Sequence, residues 1–95
     1  MTIRSEDMAV LAAQVADEQK GKEIEALRLK EISGFTDYML LITGMSRTHL
    51  RALAEHISQA LKSHGERPLG TEGMAGDSSW IVMDYGDMVI HLFMD

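Results

Sequence analysis

The chain predicts an α/β (α+β) fold, a single mixed sheet of about five strands with two main helices, in the order αββα(β)ββ. Three observations carry that prediction. Trp80-Ile-Val-Met-Asp-Tyr-Gly-Asp-Met-Val-Ile-His-Leu-Phe93 is two runs of β-formers around a Tyr-Gly-Asp break, the sequence form of a hairpin. Tyr38-Met-Leu-Leu-Ile42 is a continuous apolar run bounded by turn residues, which suits a strand covered on both faces near the middle of a sheet. Residues 5–18 and 47–64 repeat their apolar residues at helical spacing instead.

In the first helix, Met8, Leu11, Ala12 and Val15 fall at i, i+3, i+4 and i+7, with Ser5 as N-cap and acids in the first turn. Lys20-Gly21-Lys22 ends it. A strand is expected from about 25 to 30, with its alternation slipping phase near Ala26. Ser33-Gly34 breaks it, and the short connection to Tyr38 makes this first pair antiparallel. Gly44-Met-Ser46 closes the second strand, and Ser46 caps the next helix. Leu50, Leu53, Ala54, Ile57, Ala60 and Leu61 form one stripe along that helix, and Gly65 stops it, with Pro68 soon after. Strand, helix and further strand imply a right-handed crossover. A short strand is expected at 70–72 and a loop at 73–79. Two helices for so many strands leave one face of the sheet partly open.

The hairpin is the most informative stretch. If Gly86-Asp87 is a two-residue turn, Tyr85 pairs with Met88, Met83 with Ile90 and Ile81 with Leu92, a mostly aliphatic set suited to a core. On the other face Asp84 meets Val89, Val82 meets His91 and Trp80 meets Phe93. A Trp, an Asp and a His would be held by a dry core only at a cost, so this is read as a working face. Tyr85, at the hairpin tip, is expected to be exposed.

Bulk properties narrow the function. Ninety-five residues make one domain, spanning 1–95. There is no cysteine, so neither a disulfide nor a thiolate metal site exists. No apolar run approaches the ~20 residues of a bilayer span, and Arg4 followed by Glu6 and Asp7 is unlike a signal peptide. A cytoplasmic location is the expectation. A formal charge of −6 argues against direct nucleic-acid binding and favours encounter with a basic surface.

His49 and His56 lie seven apart on one helical face, but zinc wants three or four ligands, so no metal and no cofactor is expected. His91 reads as a hydrogen-bonded structural imidazole, and the eight methionines mostly as core filling. One alternative is a nucleotidyltransferase-like enzyme or nucleotide-binding domain, because strand, Gly44-Met-Ser46 and helix resemble a nucleotide-holding turn. That chemistry needs paired carboxylates on an adjacent strand, and Asp84 and Asp87 straddle a turn, so catalysis is not expected. Another alternative is a homodimerising interaction module, pairing through the open sheet face.

Thr36-Asp-Tyr-Met-Leu-Leu-Ile-Thr-Gly-Met-Ser46, Arg51-Ala-Leu-Ala54, Glu72-Gly73 and the Trp80–Phe93 string resemble the ribosomal silencing factor (Iojap-like) family, in order and spacing over nearly the whole chain. The Trp-x-x-x-Asp-Tyr-Gly-Asp-x-x-x-His-x-Phe pattern is the specific part. The family pattern usually continues into a tail of aromatic and Leu-Glu-x-Leu-Trp character, whereas this sequence stops at Asp95. The resemblance implies a non-enzymatic role. Such a protein binds the large ribosomal subunit through its universal protein fourteen, obstructs joining of the small subunit and damps translation when nutrients are scarce. Carried over by motif, the partner-binding residues would be Trp80, Ile81 and Tyr85, with Asp84 and Asp87 as acidic neighbours.

Overall fold

A computed structural model describes residues 3–32, 34, 36–75 and 78–94. The elements are α1 (Ser5–Glu18), β1 (Lys22–Arg28), β2 (Tyr38–Gly44), α2 (Arg47–Lys62), β3 (Gly70–Glu72), β4 (Trp80–Asp84) and β5 (Met88–Met94). This is the expected order, in one sheet arranged β1-β2-β5-β4-β3. The break expected at Ser33, and positions 76 and 77 of the loop before the hairpin, lie outside the described residues.

β1 and β2 are antiparallel, as their short connection requires, while β2 and β5 run parallel with Leu40 opposite Ile90. β5 pairs antiparallel with β4, and β4 with β3, so β3 runs parallel to β2 and α2 is the crossover between them. The centre of the sheet is β5, with β2 beside it.

Both helices lie on the same side. Leu40, Ile42, Ile81, Met83, Met88, Ile90 and Leu92 are at most 2% exposed and meet Leu50, Leu53, Ile57 and Leu61 of α2. The α2 stripe is the one its spacing predicts, and Ser46 caps it by accepting from the His49 N–H at 3.0 Å. Gly65 ends it with φ 83.

α1 departs from expectation in two ways. Its buried apolar residues are Met8, Ala9, Ala12 and Ala16, while Leu11 and Val15 are only partly covered. Alanines let the helix sit close against α2 and the sheet, and larger side chains are turned toward the edges of that contact. Ser5 is not the cap; Arg4 is, and Ser5 Oγ donates to Asp37 Oδ2 at 3.0 Å, tying the start of α1 to the turn before β2.

β1 begins at Lys22, earlier than the alternation indicates, and carries an irregularity between Lys22 and Glu25 where Glu23 adopts φ 48. A bulge of this kind shifts the phase of the side chains. His49 then locks the layers together. Its Nδ1 accepts from the Met45 N–H at 3.0 Å, which leaves Nε2–H to donate to the Gln19 carbonyl at 2.8 Å, joining the end of α1 to the start of α2. His56 instead bonds the Ala52 carbonyl of its own helix at 2.8 Å, so the two histidines serve separate backbone contacts.

Candidate docking face

Among the described residues, no element covers the side of the sheet away from the helices. Parity along each strand places Leu27, Met39, Leu41, Val82, Val89, Phe93 and Trp80 there, in three rows running across the strands. The middle row reads Glu25, Leu41, His91, Val82, Glu72 from one edge of the sheet to the other. Met39, Leu41, Val82, Val89 and Phe93 are half-buried, Leu27 is 42% exposed and Trp80 is 52% exposed. The expectation that β2 is covered on both faces is therefore corrected. A continuous apolar strand also arises where one face is core and the other is an open, half-buried apolar surface.

Charge on this face is asymmetric. Glu25 and Glu72 stand at opposite ends of the middle row, and Asp84 shares the row of Met39 and Val89. Lys22 occupies the corner where β1 starts. An apolar centre with acids at both edges is complementary to an apolar, basic protein surface and repels phosphates.

Trp80 is the largest exposed apolar group of the face, and its backbone is tightly placed. Ser78 Oγ accepts from the Trp80 N–H at 3.2 Å and donates to the Trp80 carbonyl at 2.6 Å. Gly73, with φ 88, passes so close that a β-carbon there would stand 2.1 Å from the Trp80 carbonyl oxygen. Position 73 therefore has to be glycine for the loop to close over the start of β4. The indole Nε1–H donates to His91 Nδ1 at 3.2 Å, the two rings lying within 10° of parallel.

The hairpin register is the one expected, from Asp84 opposite Val89 to Trp80 opposite Phe93. The turn closes through the Tyr85 N–H to the Met88 carbonyl at 2.8 Å and the Asp87 N–H to the Tyr85 carbonyl at 3.1 Å, with Gly86 at φ 85. Asp84 Oδ1 accepts from the Gly86 N–H at 2.8 Å, and the Asp87 carbonyl accepts from the Asp37 and Tyr38 N–H groups. Both acids remain exposed while bracing the tip.

Tyr85 is not exposed. It is 7% accessible, and Ile81 is 0% accessible. Both share the parity of Met83 and so point under the helices, on the core side of the sheet. Among the described residues, no group makes a well-formed hydrogen bond to the buried Tyr85 hydroxyl, although Ser58 lies near it. Burial raises its pKa above the ordinary 10.0, Glu66 adding to the rise and the nearby Ser58 opposing it. Of the expected contact residues, Trp80, Asp84 and Asp87 reach the surface, while Ile81 and Tyr85 support them from below. The face also includes residues that motif reasoning did not assign to contact: Met39, Leu41, Val89 and Phe93, with Glu25 and Glu72 as rim. Strand parity was the signal for the first four.

Elsewhere, a cavity of about 300 Å³ between α2 and the β3–β4 edge is lined by Ala54, Glu55, Ser58, Gln59, Thr71, Met74 and Met83. Glu55 is the one carboxylate in that lining, too few for a metal-assisted transfer. Among the described residues no helix is long and apolar enough to cross a membrane.

The fold is a helix-backed mixed sheet whose other face, among the described residues, is open, apolar and edged by acids. Residues 2–95 match the family described as ribosomal silencing factor during starvation, and the chain belongs to that family. The chain is 31% identical to a ribosomal silencing factor of Bacillus subtilis over 87% of its own length and 70% of that protein's. It is 32% identical to the chloroplastic Iojap protein of Arabidopsis thaliana, over 90% of this chain but only 35% of that one. A crystal structure of a Chromobacterium violaceum protein superposes with a TM-score of 0.90 at 28% identity, covering 97% of this chain and 76% of that one.

Proposed function

We propose that the open sheet face docks on the large ribosomal subunit through its universal protein fourteen, and that the bound protein sterically blocks joining of the small subunit. Translation is thereby repressed under nutrient limitation. The observation that carries this reading is an exposed indole on an apolar face whose two edges are acidic. Trp80 is the anchor, with Asp84 and Asp87 as its rim; Ile81 and Tyr85 fix the strand and turn that present them. Acids at the edges favour a basic ribosomal protein and disfavour rRNA, so direct nucleic-acid contact is small. A blocker needs bulk and affinity at the right place, and no enzymatic step enters this reading. The protein would act in the cytoplasm, where free subunits meet.

The test is subunit reassociation followed by sedimentation, with and without purified protein. Depletion of joined particles as protein is added is the expected result; unaltered joining at saturating protein overturns the proposal. The apolar face also favours a second reading, a homodimer in which two copies cover each other's sheets when free. Light scattering decides it: a dimer that the Trp80→Ala variant converts to monomer places both contacts on one patch.

A further inference from the structure

The exposed anchor is itself held down. An indole N–H can only donate, so its bond to His91 Nδ1 at 3.2 Å requires a lone pair there, which means a neutral imidazole with its proton on Nε2. The rings lie within 10° of parallel with centroids 5.8 Å apart, so the indole leans across from β4 toward His91 of β5 while remaining half exposed. His91 is half-buried at the middle of the central row. Its direct cross-strand neighbours are Leu41 and Val82, and Met39 and Thr43 are the other β2 side chains on this face. The acids sharing the face are Asp84, two residues beyond Val82 on β4, and Glu25 and Glu72, each two strands away at roughly 10 Å. Glu23 joins them, lining the same hollow as Leu41, Thr43 and Phe93. Lys22 lies at the far corner beside Thr43. Both helices lie behind the sheet.

We propose that His91 is the positioning residue for Trp80, holding the indole while neutral and releasing it when protonated, so that docking weakens as the pH falls. The docking half of this inference rests on the proposed function. Protonation puts a hydrogen on Nδ1, and two donors then face each other where a hydrogen bond stood. It also places a positive charge at the centre of a face built to meet a basic surface.

Trp80 is the sole tryptophan, so its fluorescence reports the contact in the free protein. Between pH 8 and pH 5 the wild type should show a single one-proton transition in indole emission. His91→Asn keeps an acceptor oxygen where Nδ1 stood and does not titrate, so its emission should stay flat. Long-range nitrogen NMR of the wild type needs no variant and should find Nδ1 unprotonated at pH 8. Affinity for purified large subunits should fall on the order of tenfold from pH 8 to pH 5.5 in the wild type but not in His91→Asn. A flat wild-type titration, a protonated Nδ1 at pH 8, or the same transition in His91→Asn would overturn the positioning role. Parallel affinity profiles for the two proteins would overturn its link to docking. A transition specific to the wild type, with no binding of either protein at any pH, would support the positioning role and remove the proposed function.

Discussion

Truncating Trp80 separates docking from folding more cleanly than any other change on this face. A tryptophan offers up to roughly 250 Å² of contact surface. At 52% exposure about half of that, ~130 Å², is left for a partner to cover. At about 25 cal/mol per Å², Trp80→Ala should cost docking about 3 kcal/mol, or roughly two orders of magnitude in Kd. The fold should lose much less: one exposed hydrogen bond to His91 and partial packing, about 1 kcal/mol and a Tm decrease of ~4–8 °C. Calorimetry with isolated universal protein fourteen at fixed salt, alongside co-sedimentation with large subunits, measures the first quantity, and thermal unfolding the second. An affinity within threefold of wild type, with the fold intact, would refute the assignment of this face. Ile81→Ala or Tyr85→Ala cannot serve the same purpose. Each opens a cavity in the core and should cost about 2–5 kcal/mol of stability before any partner is met.

Gly73→Ala should destabilise by about 2–4 kcal/mol in chemical denaturation and shift the Trp80 emission, because a β-carbon would strike the Trp80 carbonyl at a positive φ. Tyr85→Phe should be neutral or up to about 1 kcal/mol more stable at pH 7, since it removes a buried hydroxyl that finds no well-formed hydrogen bond among the described residues. In the wild type the raised Tyr85 pKa means that the folded state keeps a proton the unfolded state gives up above pH 10. The resulting stability is present below pH 10 and lost as pH rises through the folded value, so alkaline unfolding should be shallower in Tyr85→Phe. Reversing both rim charges, Glu25→Lys with Glu72→Lys, should slow association with large subunits at low salt, with the difference shrinking as salt rises in stopped-flow measurements. Ser46→Ala should cost about 1 kcal/mol by removing the α2 cap, read as a lower Tm without a change in docking.

The hairpin register was legible because a two-residue turn leaves no freedom: once Gly86-Asp87 is placed, alternation assigns every partner from Asp84 to Trp80. The α2 stripe was legible because its large aliphatics all fall on one face. Tyr85 was misplaced by giving its position at a tip more weight than its parity. Alternation had already put it with Ile81 and Met83, and the structure follows alternation. Ser5 has the composition of a cap, yet Asp37, distant in sequence, offers its hydroxyl a carboxylate. The stripe on α1 was read from its larger residues, while the tight approach to α2 selected alanines. The bulge at Glu23 has no residue signature, because a glutamate at φ 48 is imposed by its neighbours. The docking face was half legible: Trp80 and His91 stood out as polar-tipped side chains, whereas Met39 and Leu41 looked like ordinary core.

β5 is the hub of the sheet and, among the described residues, the strand that comes latest in sequence. The β1–β2 ribbon touches the β4–β3 ribbon only through it, so neither half of the sheet gains its neighbour until Met88 to Met94 has been synthesised. A nascent chain ending at Tyr85 would hold two half-sheets and both helices, with no central strand to join the half-sheets. Assembly of the sheet therefore waits on translation reaching β5, and a chain cut before that strand should aggregate rather than fold as a smaller protein.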